Sequence, residues 1–304
     1  MKVGIVYGPV YLKHDTGAHV ENSSRLVETI GLLEKSKLIN KLTAIAPRAA
    51  SVEEVSLAHP ASHISRVQTY STRGGGWLYG DTYASPASYE VALYAVGGML
   101  EGVDAVMTGK VNHAFALVRP PGHHATTDEA MGFCLFNNIA VAAEYAKKNC
   151  NMERVLIADF DVHHGNGTQE IFYTDPQVLY FSTHQYPLYP GTGSIYEDGS
   201  GKGKGFTVNV PLPACCGDKE YHRAYEEILE PVAKRFHPQL ILVSAGYDCH
   251  WADGMSMNSM QVTVAGFSDI VSIIKKLADE LCDGKLLLSL EGGYHLEALS
   301  YSIK

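Results

Sequence analysis

The sequence predicts an α/β fold: one open sheet with helices on both faces, formed by residues 1–304 as a single domain. Short, near-continuous apolar runs recur along the whole chain, as strands buried on both faces of a parallel sheet require. Amphipathic stretches separate these runs, so strand and helix alternate from end to end. No Pro/Ser/Gly-rich linker interrupts the alternation, and Gly74-Gly75-Gly76 and the segment Gly199–Gly205 are short enough to be loops.

The elements follow in order. Val3–Tyr7 is apolar and closed by Gly8-Pro9, which reads as a first buried strand. It lacks the charged start, longer apolar stretch and small-residue cleavage site of a signal peptide, so a cytoplasmic protein is expected. Ser24–Lys37 is the first expected helix, and Ser51-Val-Glu-Glu54 has the form of a capping box opening a short one. A helix over Pro86–Met107 leads to a strand at His113–Val118, and a helix over Asn137–Asn149 to a strand at Val155–Phe160. Strands at Val178–Ser182 and Phe206–Val210 precede a helix over Asp218–Phe236. A strand at Leu240–Ala245, a helix over Thr263–Cys282 and a strand at Lys285–Leu290 complete the sheet, and the chain stops part-way into a last helix near Glu297.

Composition narrows the function classes. Hydrophobic residues make up 46% and charged residues 19%, which suits a globular chain and not a disordered one. No apolar run reaches the length of about 18 that marks a membrane span. A formal charge of -9 argues against direct nucleic-acid binding, which needs a basic patch, and suits a cationic substrate. None of the six cysteines forms a C-x-x-C pair, so neither a thiolate zinc site nor a redox motif is supported. The fourteen histidines include two adjacent pairs, His123-His124 and His163-His164.

Four motifs could carry chemistry. Asp159-Phe-Asp161-Val-His163-His164-Gly-Asn166 follows an expected strand, and the carboxyl ends of strands form the ligand crevice of an open parallel sheet. If strand geometry continues, residues 159, 161 and 163 project to one side, and an Asp oxygen beside a His nitrogen suits zinc. Ser244-Ala-Gly-Tyr-Asp248 ends another strand and offers a third ligand, although a lone strand-ending Asp is more often a cap or turn residue. Arg119-Pro-Pro-Gly-His123-His124 places two imidazoles after a rigid turn, and a carboxylate such as Asp159 could orient one and raise its pKa. Glu291-Gly-Gly-Tyr294 offers glycines that let backbone approach a ligand and a hydroxyl that could meet a developing oxyanion.

Together these motifs, in this order and from His14-Asp-Thr-Gly-Ala-His19 through Tyr294, resemble the histone deacetylase and acetylpolyamine amidohydrolase superfamily. The resemblance implies an arginase-like three-layer α/β/α fold with a central, mostly parallel sheet. It implies a zinc-dependent amidohydrolase that removes acetyl or other acyl groups from amines such as acetyl-lysine, acetylpolyamines or small amides. Asp161, His163 and Asp248 would bind zinc. His123 and His124 would be the tandem active-site histidines, partnered by Asp159 and by Asn166, the latter as in class II-like members. Tyr294 matches the catalytic tyrosine. Gly132 and Phe133 resemble one wall of the acyl-lysine tunnel, Tyr189 the opposite wall, Asp81 a residue that grips substrate backbone, and Met255 the rim. Arg25 resembles an arginine beneath the site. Asp159, Asp161, His163, Ser182 and Thr183 match a site for structural potassium, partly through backbone oxygens. The chain departs from the pattern at Glu21-Asn-Ser-Ser-Arg25, where relatives more usually carry Asn-Pro-Glu-Arg, a change expected to matter little. Two rivals remain: a ureohydrolase with two manganese ions, for which Asp253 is the one extra carboxylate near Asp248, and a module that binds acylated amines without turnover.

Overall fold

The computed structural model describes residues 2–254 and 259–304. Its centre is an eight-stranded sheet in the order β2-β1-β5-β10-β9-β6-β7-β8. The strands are β1 (Val3–Val6), β2 (Thr43–Ile45), β5 (His113–Ala116), β6 (Val155–Asp159), β7 (Val178–Gln185), β8 (Thr207–Leu212), β9 (Leu240–Ala245) and β10 (Leu286–Leu290). Every neighbouring pair in this sheet is parallel. β3 (Gly76–Tyr79) and β4 (Thr82–Ala84) stand apart as an antiparallel hairpin. All residues of β6, β9 and β10 are buried, as their unbroken apolar runs require.

The helices are α1 (Ser24–Lys35), α2 (Val52–Val55), α3 (Ala61–Thr72), α4 (Ser88–Met107), α5 (Asn138–Asn149), α6 (Asn166–Phe172), α7 (Asp218–Arg223), α8 (Glu230–Phe236), α9 (Val264–Leu281) and α10 (Leu296–Ile303). α4 lies against β1, β5 and β10 and packs on α5, while α1, α10, α9, α7 and α8 form a second contiguous layer. Helix starts follow side-chain chemistry. Ser51 Oγ accepts the Glu54 amide at 3.2 Å and Glu54 Oε2 accepts the Ser51 amide at 2.8 Å, which is the capping box read in the sequence. Thr263 caps α9 by accepting the Gly266 amide, and its own hydroxyl donates to Asp218 Oδ2 at 2.7 Å, tying the start of α9 to α7.

Differences from the expected elements have local causes. β2 is three residues long and only its last residue is buried, so no period could reveal it. The β3–β4 hairpin is short and half exposed. α3 and α6 also went unread; α6 starts at Asn166, inside the motif that had been read for its chemistry. The helix expected over Asp218–Phe236 is interrupted by a π-helical stretch at Ala224–Leu229. Such wide turns often mark functional sites, and this one carries Tyr225, whose hydroxyl lies 3.4 Å from the Asp159 carbonyl oxygen.

Candidate active site

The four motifs follow β5, β10, β9 and β6, the four central strands, which are mutual neighbours. Their register is level: Ala116 pairs with Ser289, Ser289 with Ser244, and Ser244 with Asp159. Loops leaving the sheet at one level from adjacent strands converge above it, which is where ligands bind in open parallel sheets.

Strand geometry does not continue through the first motif, contrary to expectation. β6 ends at Asp159, because successive carboxylates take over the backbone amides: Asp159 Oδ1 accepts the Asp161 amide at 3.1 Å and Asp161 Oδ1 accepts the His163 amide at 2.9 Å. Asp159 therefore serves His123, while Asp161 and His163 meet Asp248. Ligating atoms of Asp161, His163 and Asp248 all lie within 4.8 Å of one another, and the three residues are buried. His163 Nδ1 is 3.1 Å from Asp161 Oδ1 and 3.3 Å from Asp248 Oδ2. Burial works against charge on that imidazole, but the two carboxylates outweigh it and raise His163 to about 9. Burial, then the Asp161 charge, raises Asp248 to about 6. Asp161 is driven the other way: burial opposes its charge, and the neighbouring imidazoles of His123 and His163 prevail and lower it. Two carboxylates and one imidazole, buried and convergent, fit a divalent ion that accepts both oxygen and nitrogen, as zinc does. Space reserves the cluster too: a Cβ on Gly246 would stand 1.9 Å from Asp161 Oδ2, and one on Gly292 2.3 Å from Asp248 Oδ2. Among the described residues this is the one such group of ligands found. Asp253 is committed elsewhere, its Oδ2 accepting the amides of Tyr294 at 2.5 Å and His295 at 2.9 Å.

The tandem histidines sit beside this cluster, their rings 4.0 Å apart and the His124 and His163 rings 5.8 Å apart. Their environments push them in opposite directions. His123 Nδ1 is 3.0 Å from Asp159 Oδ2; burial alone would lower it, but the charges of Asp159 and then Asp161 raise it to about 10. His124 Nδ1 meets a neutral amide, Asn166 Oδ1, at 2.8 Å. Burial, then the charges of His123 and His163, hold it well below the ordinary imidazole value. An amide oxygen can only accept, so His124 carries its hydrogen on Nδ1 and keeps Nε2 as a free base. Two titratable neighbours pushed apart in this way are what acid–base chemistry needs.

Behind the site lies a buried ionic node built on Glu21, Arg25 and Arg119. Arg119 Nε donates to Glu21 Oε1 at 2.5 Å and Arg119 Nη2 to Glu21 Oε2 at 2.8 Å, while Arg25 Nη1 donates to Glu21 Oε1 at 3.1 Å. Arg25 also donates to the carbonyls of Gly293 at 2.6 Å and Glu291 at 2.5 Å, and its guanidinium lies 5.1 Å from the centre of the Tyr294 ring. Glu21 thus joins the loop after β5 to the loop after β10 through Arg119 and Arg25. Burial would raise the Glu21 carboxyl, but Arg119 and Arg25 hold it well below the usual carboxylate range. Glu21→Ala leaves two guanidinium groups buried without that carboxylate and is expected to cost about 3–5 kcal/mol, read by denaturant unfolding. Because the folded carboxyl titrates below its unfolded value of about 4.3, its contribution is complete above that pH and fades as pH falls further.

Above the cluster is a cavity of about 310 Å³ whose walls include His123, His124, His163, Tyr189, Phe133 and Tyr294. Gly132 and Phe133 turn with φ of 55° and 68°, and Phe133 packs edge-on to Tyr294 with ring centres 6.0 Å apart. Tyr189 stands opposite, its ring 5.2 Å from that of His124. Asp81, at the tip of the β3–β4 hairpin, also lines the cavity. Met255 lies outside the described residues. Ser182 pairs in register with Asp159, and Thr183 Oγ1 is 3.4 Å from the Asp159 carbonyl oxygen.

A family model described as the histone deacetylase domain matches residues 19–304. The chain belongs to the histone deacetylase family. Among the similar relatives of this family are a probable deacetylase of Archaeoglobus fulgidus, 41% identical over 99% of this chain and 84% of that protein. Another is the histone deacetylase-like amidohydrolase of Pseudomonas aeruginosa, 40% identical over 91% of this chain and 72% of that protein. The crystal structure of the HDA15 HD domain matches with a TM-score of 0.93 and 38% identity, covering 99% of this chain and 88% of that one. Histone deacetylase 10 of Oryza sativa subsp. japonica, 41% identical over 95% of this chain and 69% of that protein, is described as chloroplastic. Among the described residues no helix is long and apolar enough to cross a membrane.

Within this deacetylase fold, several contributing residues carried no sequence signal. Tyr180 donates to Asp159 Oδ2 at 3.1 Å from the middle of β7, where it reads as one more apolar strand residue. Thr82 is buried on β4; its hydroxyl donates to Asp81 Oδ1 and accepts the Phe133 amide, both at 3.0 Å. Gly246 and Gly292 lie inside the quoted motifs, but which carboxylates they make room for, Asp161 and Asp248, is set by the fold.

Proposed function

We propose that this chain is a zinc-dependent deacetylase that hydrolyses short acyl amides of amines, with acyl-lysine as the preferred class of substrate. The observation that carries the reading is the buried Asp161–His163–Asp248 cluster placed directly beside two histidines of opposite protonation bias, at the inner end of a narrow cavity. Asp161, His163 and Asp248 would hold the zinc, which would supply Lewis acidity toward the acyl carbonyl and a water molecule. His124, neutral through Asn166 and its surroundings, would take a proton from the attacking water and return one to the leaving amine. His123, paired with Asp159, keeps a positive charge beside it. Tyr294 donates its hydroxyl hydrogen to the oxyanion developing at the acyl carbon. Phe133 and Tyr189 enclose the aliphatic stem of the substrate, and Asp81 meets its polar end at the rim. Potassium is part of the same proposal, held near Asp159, Asp161, His163, Ser182 and Thr183 and steadying the turn that bears two of the zinc ligands.

The test is zinc stoichiometry together with acetate release from acetyl-lysine peptide, acetylspermidine and longer acyl-lysine, with and without a hydroxamate chelator. Hydroxamate-sensitive turnover with bound zinc is expected. Zinc without turnover on any of the three would instead favour a module that binds acylated amines. Tyr294→Phe is expected to keep zinc and lose about a hundredfold or more in kcat; turnover near wild type would remove Tyr294 from the mechanism.

A further inference from the structure

Glu291 opens the Glu-Gly-Gly-Tyr motif, yet none of the steps above uses it. It is fully buried just past the end of β10, and its carboxylate reaches both the loop after β5 and strand β9. Oε2 accepts the backbone amide of Gly122 at 2.7 Å and that of His123 at 3.2 Å. Oε1 accepts the Ser244 hydroxyl at 3.1 Å, from β9. Its own amide donates to the Ala245 carbonyl at 3.0 Å, and its carbonyl accepts Arg25 at 2.5 Å. These are the groups flanking the two active-site loops. Gly122 and His123 immediately precede His124, and Ser244 and Ala245 lead into Asp248.

We propose that Glu291 is the positioning residue of the tandem-histidine turn: by accepting two consecutive amides from a fixed point on β10, it sets the backbone from which His123 and His124 project. The geometry supports this over a packing role. A residue that only filled space would not need both oxygens directed at three donors, two on the loop after β5 and one on β9. Buried amides must find acceptors. If the acceptor recedes, the turn relaxes toward another partner and carries both imidazoles with it. A displacement of about 1 Å at a reacting group can cost about a hundredfold in rate. The role requires reach and acceptor capacity, and it does not require charge.

The inference rests on the deacetylase reading, and two near-isosteric variants separate reach from charge. Glu291→Gln keeps the length: its amide oxygen still accepts Gly122 and His123, and its NH₂ donates to the Ser244 hydroxyl. Glu291→Asp keeps the charge but draws the acceptor back by one methylene. The Gln variant is expected to retain most of the wild-type kcat. The Asp variant is expected to lose about 10- to 100-fold in kcat, with KM and zinc content little changed. A second readout needs no turnover: hydrogen exchange of the Gly122 and His123 amides in zinc-free protein should stay slow in the Gln variant and accelerate in the Asp variant. An active Asp variant with an inactive Gln variant would show that charge is what matters and overturn the proposal. Unchanged exchange and kcat in both would overturn it as well. Should wild-type protein bind zinc but hydrolyse none of the acyl substrates, the deacetylase reading fails, while the exchange arm still decides whether Glu291 holds the turn.

Discussion

Asp248→Ala is expected to reduce zinc from about one ion per chain to near none, and to abolish turnover with it. The reason lies in the donor set. Asp161, His163 and Asp248 converge within 4.8 Å in a buried pocket, so removing one leaves an open coordination position and an imidazole sharing a single carboxylate. Asp248 has a second task, since its Oδ1 accepts the Val162 amide at 3.0 Å and so helps shape the turn that bears the other two ligands. Asp248→Asn separates the tasks: the amide oxygen still accepts Val162, the negative charge is gone, and zinc should be lost while the unfolding midpoint stays near wild type. Full zinc occupancy in both variants would refute the ligand assignment. In the wild type, zinc affinity should strengthen as pH rises through the interval between Asp248 at about 6 and His163 at about 9, because both must shed protons to coordinate. Isothermal titration at several pH values reads this directly, with proton release accompanying binding.

His124→Ala should lower kcat by about 10²- to 10⁴-fold while zinc content stays at the wild-type level. His124 is buried, held well below the ordinary imidazole value and hydrogen-bonded through Nδ1 to an amide, which leaves its opposite nitrogen as an uncharged base beside Asp161, His163 and Asp248. His123 is the weaker candidate, since Asp159, 3.0 Å from its Nδ1, raises its pKa to about 10. Measuring kcat, KM and hydroxamate affinity together separates the effects: a hydroxamate that still binds shows an intact pocket, and a collapsed kcat then belongs to proton transfer. A His124→Ala enzyme with near-normal kcat would move the base elsewhere, with His123 the next group to replace.

Much of this site is written along the chain because each motif follows an apolar strand end. Asp161, His163 and Asp248 belong to two strand-ending motifs, and the structure brings all three together. His123 with Asp159, and His124 with Asn166, also meet as the resemblance implied. The contacts that support them were not legible. Glu291 meets Gly122 across 169 residues of sequence, Arg119 meets Glu21 across 98, and Arg25 meets Gly293 across 268. None of these pairs has a spacing that a local period could reveal. The β3–β4 hairpin was missed for a related reason: it is too short to show alternation, yet it delivers Asp81 to the cavity and, through Thr82, fixes the Phe133 turn.

By itself the sequence determined the α/β class, the strands that carry the chemistry and the residue types available at their ends. Those properties depend on burial and local periodicity, which are recorded residue by residue. Tertiary structure alone decided the strand order, and with it the adjacency of β5, β10, β9 and β6. That order turned four separate motifs into one pocket, split the two histidines into a charged and a neutral partner, and gave the Glu21 and Glu291 carboxylates their tasks. The physical reason is that a pKa or a hydrogen bond in a buried site depends on what lies within a few ångströms in space, and distance along the chain does not encode that.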